Sequence, residues 1–129
     1  MKHGTLKFII LSFFFFLSFA NLHASPIEGK GVNIQILDKI TSEISNIFIK
    51  VNNDYKHETL KIEIHACYKR PPEEVPEDFV LLRIFDVDSN NNSNKIFQGW
   101  MISSSPSATP LEHPIYDLWI KDCKISIDS

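Results

Sequence analysis

From residue 32 onward the chain alternates apolar and polar positions with a period of two. Val32, Ile34 and Ile36 mark one such run over 32–40, and Ile47, Ile49 and Val51 mark another over 44–51. Alternation of this kind puts every second side chain on one face of a strand. A helix over 38–50 would also gather apolar residues, but nearly all are isoleucine, whose branched Cβ favours strand. Thr41, Ser42 and Glu43 form the connection between the two runs, and Asn52, Asn53 and Asp54 supply turn chemistry after them.

The clearest alternation covers 60–66. Leu60, Ile62, Ile64 and Ala66 point one way, and Lys61, Glu63, His65 and Cys67 the other. Residues 79–87 are apolar on both faces apart from Arg83 and Asp86, the pattern of a central strand. Further strands are predicted over 96–102 and 115–121, with the polar run 88–95 as a hairpin loop. Pro71, Pro72 and Pro76 cannot donate ladder hydrogen bonds, so KRPPEEVPED reads as a stiff solvated connector outside the sheet. About six strands with short polar connections predict an all-β fold, a small antiparallel β-sandwich or barrel with one disulfide. There is no internal repeat.

The first residues follow another rule. Lys2, His3 and Lys7 accompany a phenylalanine-rich apolar run over 8–20. That is the layout of a secretory signal, and it is short for a helix crossing a ~30 Å hydrocarbon core. Leu22, His23 and Ala24 end in a small residue, which predicts cleavage before Ser25; the alternative is an uncleaved anchor. No cysteine follows the run, so a lipoprotein anchor is not supported. The expected organisation is a signal peptide over 1–24 and one β domain over 25–129, with no transmembrane segment after cleavage. Both leader lysines precede the predicted cut and every acidic residue follows it, leaving a modestly acidic domain. Nucleic acid is therefore not an expected partner, since it calls for a basic face. An anionic membrane surface is an equally poor one.

Cys67 and Cys123 are the two cysteines. An even count in a small exported domain predicts a disulfide, here closing a loop of more than fifty residues and worth about 4 kcal/mol in the chain-entropy picture. His65, Cys67, His113 and Cys123 have the ligand types of a zinc site but lack paired spacing, so no metal and no cofactor is expected. Alternation puts Cys67 opposite the apolar set of its strand. It also puts Cys123 with Ile115, Asp117, Trp119 and Lys121, opposite Tyr116, Leu118 and Ile120. Both cysteines are thus expected on outer faces, clipping neighbouring strands under Trp119, unless a β-bulge reverses the phase.

Candidate chemistry gathers in the proline-rich loop SSSPSATPLEHP, residues 103–114. A loop this long without helix is often functional. One reading is a nucleophilic site of Ser103, Ser104 or Ser105 with His113 and Glu112 or Asp117, though no nucleophile-elbow sequence is present. A second is acid–base or metal chemistry at Glu112, His113 and Asp117. The third is structural: Glu112 and His113 hold the loop backbone while the serines satisfy turn donors. Trp100 and Trp119 read as packing residues before they read as a ligand platform.

The combination of Leu37-Asp38-Lys39, Ala66-Cys67-Tyr68, Arg70-Pro71-Pro72, Pro76-Glu77, Gly99-Trp100-Met101, Ser104-Ser105-Pro106, Leu111-Glu112-His113-Pro114 and Tyr116-Asp117 resembles the domain of unknown function 2155 family, small exported proteins of Gram-negative bacteria. The resemblance runs from about residue 32 to 123 and departs at Thr59 and Pro110. It implies a periplasmic, disulfide-containing domain and assigns no catalytic residue. The expected function is a non-catalytic binding or envelope-structural module. It would present the 103–114 loop, with Trp100, Glu112, His113, Asp117 and Trp119 as candidate binding surface, to a periplasmic protein or cell-wall component. The alternative is a small envelope-polymer hydrolase using His113 with Glu112 or Asp117.

Overall fold

The computed structural model describes residues 2–17 and 24–127. A helix, α1 (Lys2–Leu17), carries the apolar run as far as Leu17, and its phenylalanines are exposed. No helix among the described residues is long and apolar enough to cross a membrane. The expected cleavage site falls mostly at Leu22 and His23, outside the described residues. Among the described residues eight strands follow: β1 (Ile27–Glu28), β2 (Gly31–Asp38), β3 (Ile44–Lys50), β4 (Asp54–His57), β5 (Leu60–Lys69), β6 (Asp78–Val87), β7 (Ser93–Ile102) and β8 (Tyr116–Lys124).

All pairings are antiparallel and make two sheets. The larger runs β5-β6-β7, with β1 and β4 both bonded to the free edge of β5; the smaller runs β3-β2-β8. Their inner faces meet in a core containing Val32, Ile34, Ile36, Leu60, Ile62, Ile64, Val80, Leu82, Ile84, Leu118 and Ile120. These are the inward halves of the alternating runs, so burial of one face explains the pattern. The expected all-β sandwich is present, and the barrel alternative fails because β7 and β8 do not pair. The two additional strands, β1 and β4, carry no apolar alternation. They exist because the unpaired edge of β5 offers them ladder bonds.

Turn residues act as their chemistry dictates. Asp38 Oδ1 accepts the N–H groups of Ile40 and Thr41 at 2.8 and 3.1 Å and closes the β2–β3 turn. Asp88 Oδ1 does the same for Asn90 and Asn92 between β6 and β7. Asn52 and Asn91 take left-handed backbone, which asparagine tolerates.

Three β-bulges reset the faces. His65 is the extra residue on β5 against β6, Lys121 on β8 against β2, and Ile96 on β7 against β6. The first two invert the phase at the cysteines. Strict alternation puts both on outer faces; in the structure both are fully buried and bonded to each other across 56 residues. The disulfide therefore ties β5 of one sheet to β8 of the other through the core, and Trp119 does not cover it. One skipped residue flips everything beyond it to the opposite face.

The segment at 29–31 is held by backbone hydrogen bonds to both sheets. The Gly29 N–H donates to the Cys67 carbonyl oxygen at 2.8 Å and Lys30 N–H to the Lys124 carbonyl oxygen at 2.7 Å. The chain steps from the larger sheet to the smaller there, directly over the disulfide. A Cβ on Gly29 would overlap both sulfurs.

Candidate functional site

The 103–114 loop leaves β7, an edge of one sheet, and enters β8, an edge of the other. These strands flank the same open seam, and the loop is a strap along it. Its start is tied beside Asp78 and its end beside Asp86. Eight residue steps along β6 separate these points, about 26 Å of extended strand. Leu111, only 5% exposed, plugs the seam, and Thr109 Oγ1 donates to the Trp100 carbonyl oxygen at 3.0 Å.

At the far end His113 is buried and saturated. Its Nδ1 accepts the N–H groups of Ile115 and Tyr116 at 3.1 and 3.2 Å. Two donors on Nδ1 put the ring proton on Nε2, which faces Asp86 Oδ2 at 3.3 Å. The ring lies against Tyr116 with centroids 5.2 Å apart. Lys39 Nζ donates to the His113 carbonyl oxygen at 2.7 Å and reaches Asp117 Oδ1 at 3.4 Å. His113 thus braces the turn into β8, as the structural reading expects. Glu112 has no share in this: it is exposed and none of the described hydrogen bonds includes it.

At the near end the serines meet a carboxylate that sequence reading missed. Glu77 is buried, and its Oε1 accepts from Ser103 Oγ and Ser104 N–H, both at 2.9 Å; Oε2 accepts from Ser104 Oγ. Burial pushes the Glu77 carboxyl upward, but the bonds from Ser104, Ser103 and Asp78 outweigh it and leave the carboxyl below its usual range. Asp78 is also buried; its Oδ1 takes Lys69 Nζ at 3.2 Å and Cys123 N–H at 3.3 Å. Lys69 pairs in turn with Asp122 at 2.6 Å. The proline-rich connector is therefore solvated only over 72–76. Pro71, Glu77 and Asp78 at its ends are buried. The available signal was an acidic pair directly before an apolar strand, opposite a serine triplet at the end of the next.

Ser103 and Ser104 on Glu77 and His113 beside Asp86 occupy opposite ends of β6, so they form no nucleophile–base pair. Cys67 and Cys123 are engaged in the disulfide and His65 accepts from Arg83 Nε at 2.9 Å, so the zinc-type donor set is not assembled either. Among the described residues no group of three His, Cys, Asp or Glu side chains is arranged for a metal.

The two tryptophans, grouped on one surface by sequence, lie on opposite faces. Trp119 stands beside Gln35 on the outer face of the smaller sheet. With Asp117, Pro106, Ser107 and Pro110 it lines an open cleft of about 290 Å³ between strap and β8. Trp100 stands on the outer face of the larger sheet in register with Leu81. There it meets Tyr68 at a centroid distance of 6.0 Å.

A sequence profile described as "Uncharacterized protein conserved in bacteria (DUF2155)" matches residues 32–123, from the first core residue of β2 to the disulfide cysteine of β8. The chain belongs to the DUF2155 family. Its relative in Rickettsia prowazekii (strain Madrid E), "Uncharacterized protein RP359", is 34% identical over 87 residues. That alignment covers 67% of this chain and 56% of the relative, so the chain spans little more than half the length of the curated relative it matches. No solved structure matches it.

Proposed function

We propose that this chain is an exported, non-catalytic binding domain of the bacterial envelope, which presents its strap and Trp119 to a periplasmic protein or cell-wall component. One observation carries the reading. Of the strap side chains with catalytic potential, His113, Ser103 and Ser104 hold backbone or Glu77, with His113 at the opposite end of the strap from the two serines, while the cleft beside it is open and lined by Trp119. A buried cross-sheet disulfide suits an oxidising compartment, and the cationic, phenylalanine-rich leader suits export.

The test is photo-crosslinking in cells from position 107, beside Trp119, with position 91 in the β6–β7 hairpin as control. A discrete adduct from 107 alone, lost with Trp119→Ala, is the expected result. Equal labelling from both positions, or capture unchanged by Trp119→Ala, would overturn the proposal. So would turnover of an envelope polymer by the purified chain that His113→Ala abolishes.

A further inference from the structure

The outer face of the larger sheet ends, on the disulfide side, in an apolar cleft of about 280 Å³ walled by Pro26, Tyr68, Phe79 and Trp100. Trp100 is 45% exposed there. The Tyr68 and Trp100 rings meet there at a tilt of 39°. The charge at its rim is the Arg70 guanidinium, 5.6 Å above the Phe79 ring. Aromatic, nearly uncharged walls with a guanidinium at the edge suit an apolar, proline-flanked segment that carries carboxylates.

The same chain exposes such a segment beside the cleft. Residues 72–76, Pro-Glu-Glu-Val-Pro, stand in solvent between β5 and β6. Val75 is 75% exposed, more than any other large apolar residue of the β domain, and prolines on both sides restrict the backbone. The tip carries Glu73 and Glu74; within one chain Arg70 donates to the Val75 carbonyl oxygen at 3.4 Å and stands 3.9 Å from Glu74, while Glu73 has no ion pair among the described residues. An apolar tip with two carboxylates thus stands next to an apolar cleft with a guanidinium.

We propose that the cleft receives this tip from a second copy. Val75 and Pro76 of one protomer enter the Tyr68–Phe79–Trp100 cleft of its partner, and Glu73 or Glu74 meets the Arg70 guanidinium across the interface. Tip and cleft are neighbours on one end of the sheet, so a two-fold axis makes both contacts at once and the assembly closes as a dimer. Two such contacts form a small interface, so the dimer is weak and concentration-dependent.

Sedimentation velocity on the chain produced through the export route, its N-terminus read by mass spectrometry, tests this from micromolar to millimolar concentration. The expected result is a reversible monomer–dimer equilibrium. Val75→Asp and Trp100→Ala should each weaken it at least tenfold with unchanged circular dichroism. Mixing the two variants should restore a heterodimer, because one intact tip then faces one intact cleft. Should Trp100→Ala fail to fold, Arg70→Glu and Glu74→Arg serve instead: each alone weakens association and the pair recovers it. A monomer at millimolar concentration, a dimer indifferent to Val75→Asp, or no recovery on mixing would overturn the proposal. So would co-sedimentation of a monomeric chain with zwitterionic lipid vesicles that Trp100→Ala abolishes, since the occupant is then lipid.

Discussion

Gly29 lies against Cys123 so closely that a single added methyl group would overlap its sulfur and that of Cys67 as well. The backbone of Gly29 is fixed from below by the 2.8 Å bond to the Cys67 carbonyl oxygen, so it cannot retreat without losing a pairing. Gly29→Ala should therefore destabilise the fold by about 1–3 kcal/mol, the usual range for overpacking. In a Cys67→Ala/Cys123→Ala background the sulfurs are gone and the cost should shrink. A double-mutant cycle in urea denaturation checks this; equal costs in both backgrounds would place the clash elsewhere.

The disulfide itself closes 56 residues inside the core. Its removal should cost about 4 kcal/mol from chain entropy. Both sulfurs are fully buried, so the oxidised native chain should resist mild reductant and become reducible only with global unfolding. Mass spectrometry of trapped thiols against denaturant measures it. Reduction well before the unfolding midpoint would show that the 29–31 crossing opens separately.

Acid should unfold this protein by a defined route. Glu77 and Asp122 both have carboxyls held below their ordinary 4.5 and 3.8. In each case burial pulls upward and is outweighed, by the serine and backbone bonds at Glu77 and by Lys124 and Lys69 at Asp122. A lowered folded value means the unfolded chain binds protons first. Their stabilisation is thus complete above about 4.5 to 5 and is lost as pH falls through the folded values. Urea midpoints should be flat from pH 7 to 5 and drop below 4.5. Glu77→Gln should lower the pH 7 midpoint and flatten the acid limb; an acid limb unchanged in Glu77→Gln would remove Glu77 from this account.

His113→Ala leaves the Ile115 and Tyr116 N–H groups without their acceptor at a buried turn. An unsatisfied buried donor costs about 1–3 kcal/mol, so the variant should lose stability on that scale. Amide exchange should accelerate at 115 and 116 first, while Glu112→Ala, at an exposed residue outside the described hydrogen bonds, should leave both unchanged. Fast exchange at those amides in the wild-type chain would contradict the bracing role.

Glu58 takes a left-handed backbone, φ 51°, between β4 and β5, with an exposed side chain. Glutamate pays for that conformation and glycine does not. Glu58→Gly should raise stability by up to about 1 kcal/mol, read as a shift in thermal midpoint; a fall would mean that the glutamate side chain holds the turn.

Much of the sheet was legible because burial of one face writes itself into a period of two: Ile34 and Ile36, Ile62 and Ile64, Leu118 and Ile120 all point inward as their spacing predicts. The asparagine and aspartate turns at 52–54 and 88–92 were legible through local hydrogen bonding, which needs nothing distant. Strands β1 and β4 were not, since Ile27–Glu28 and Asp54–His57 have only a neighbour's free edge to make them strands. Nor was Glu77, whose partners lie 26 and 27 residues away.

Chain chemistry alone dictated an all-β domain, its turns, its single disulfide and the inward set of each strand up to the first irregularity. Tertiary pairing decided the rest. Alternation carries phase along a strand only while each residue has one opposite number, and a bulge is created by the partner strand rather than by local residues. His65 and Lys121 each lack that opposite number, so the cysteines beyond them turn into the core. Sheet order then sets the two tryptophans on opposite faces, because β7 and β8 end in different sheets and the strap between them must run the length of the seam.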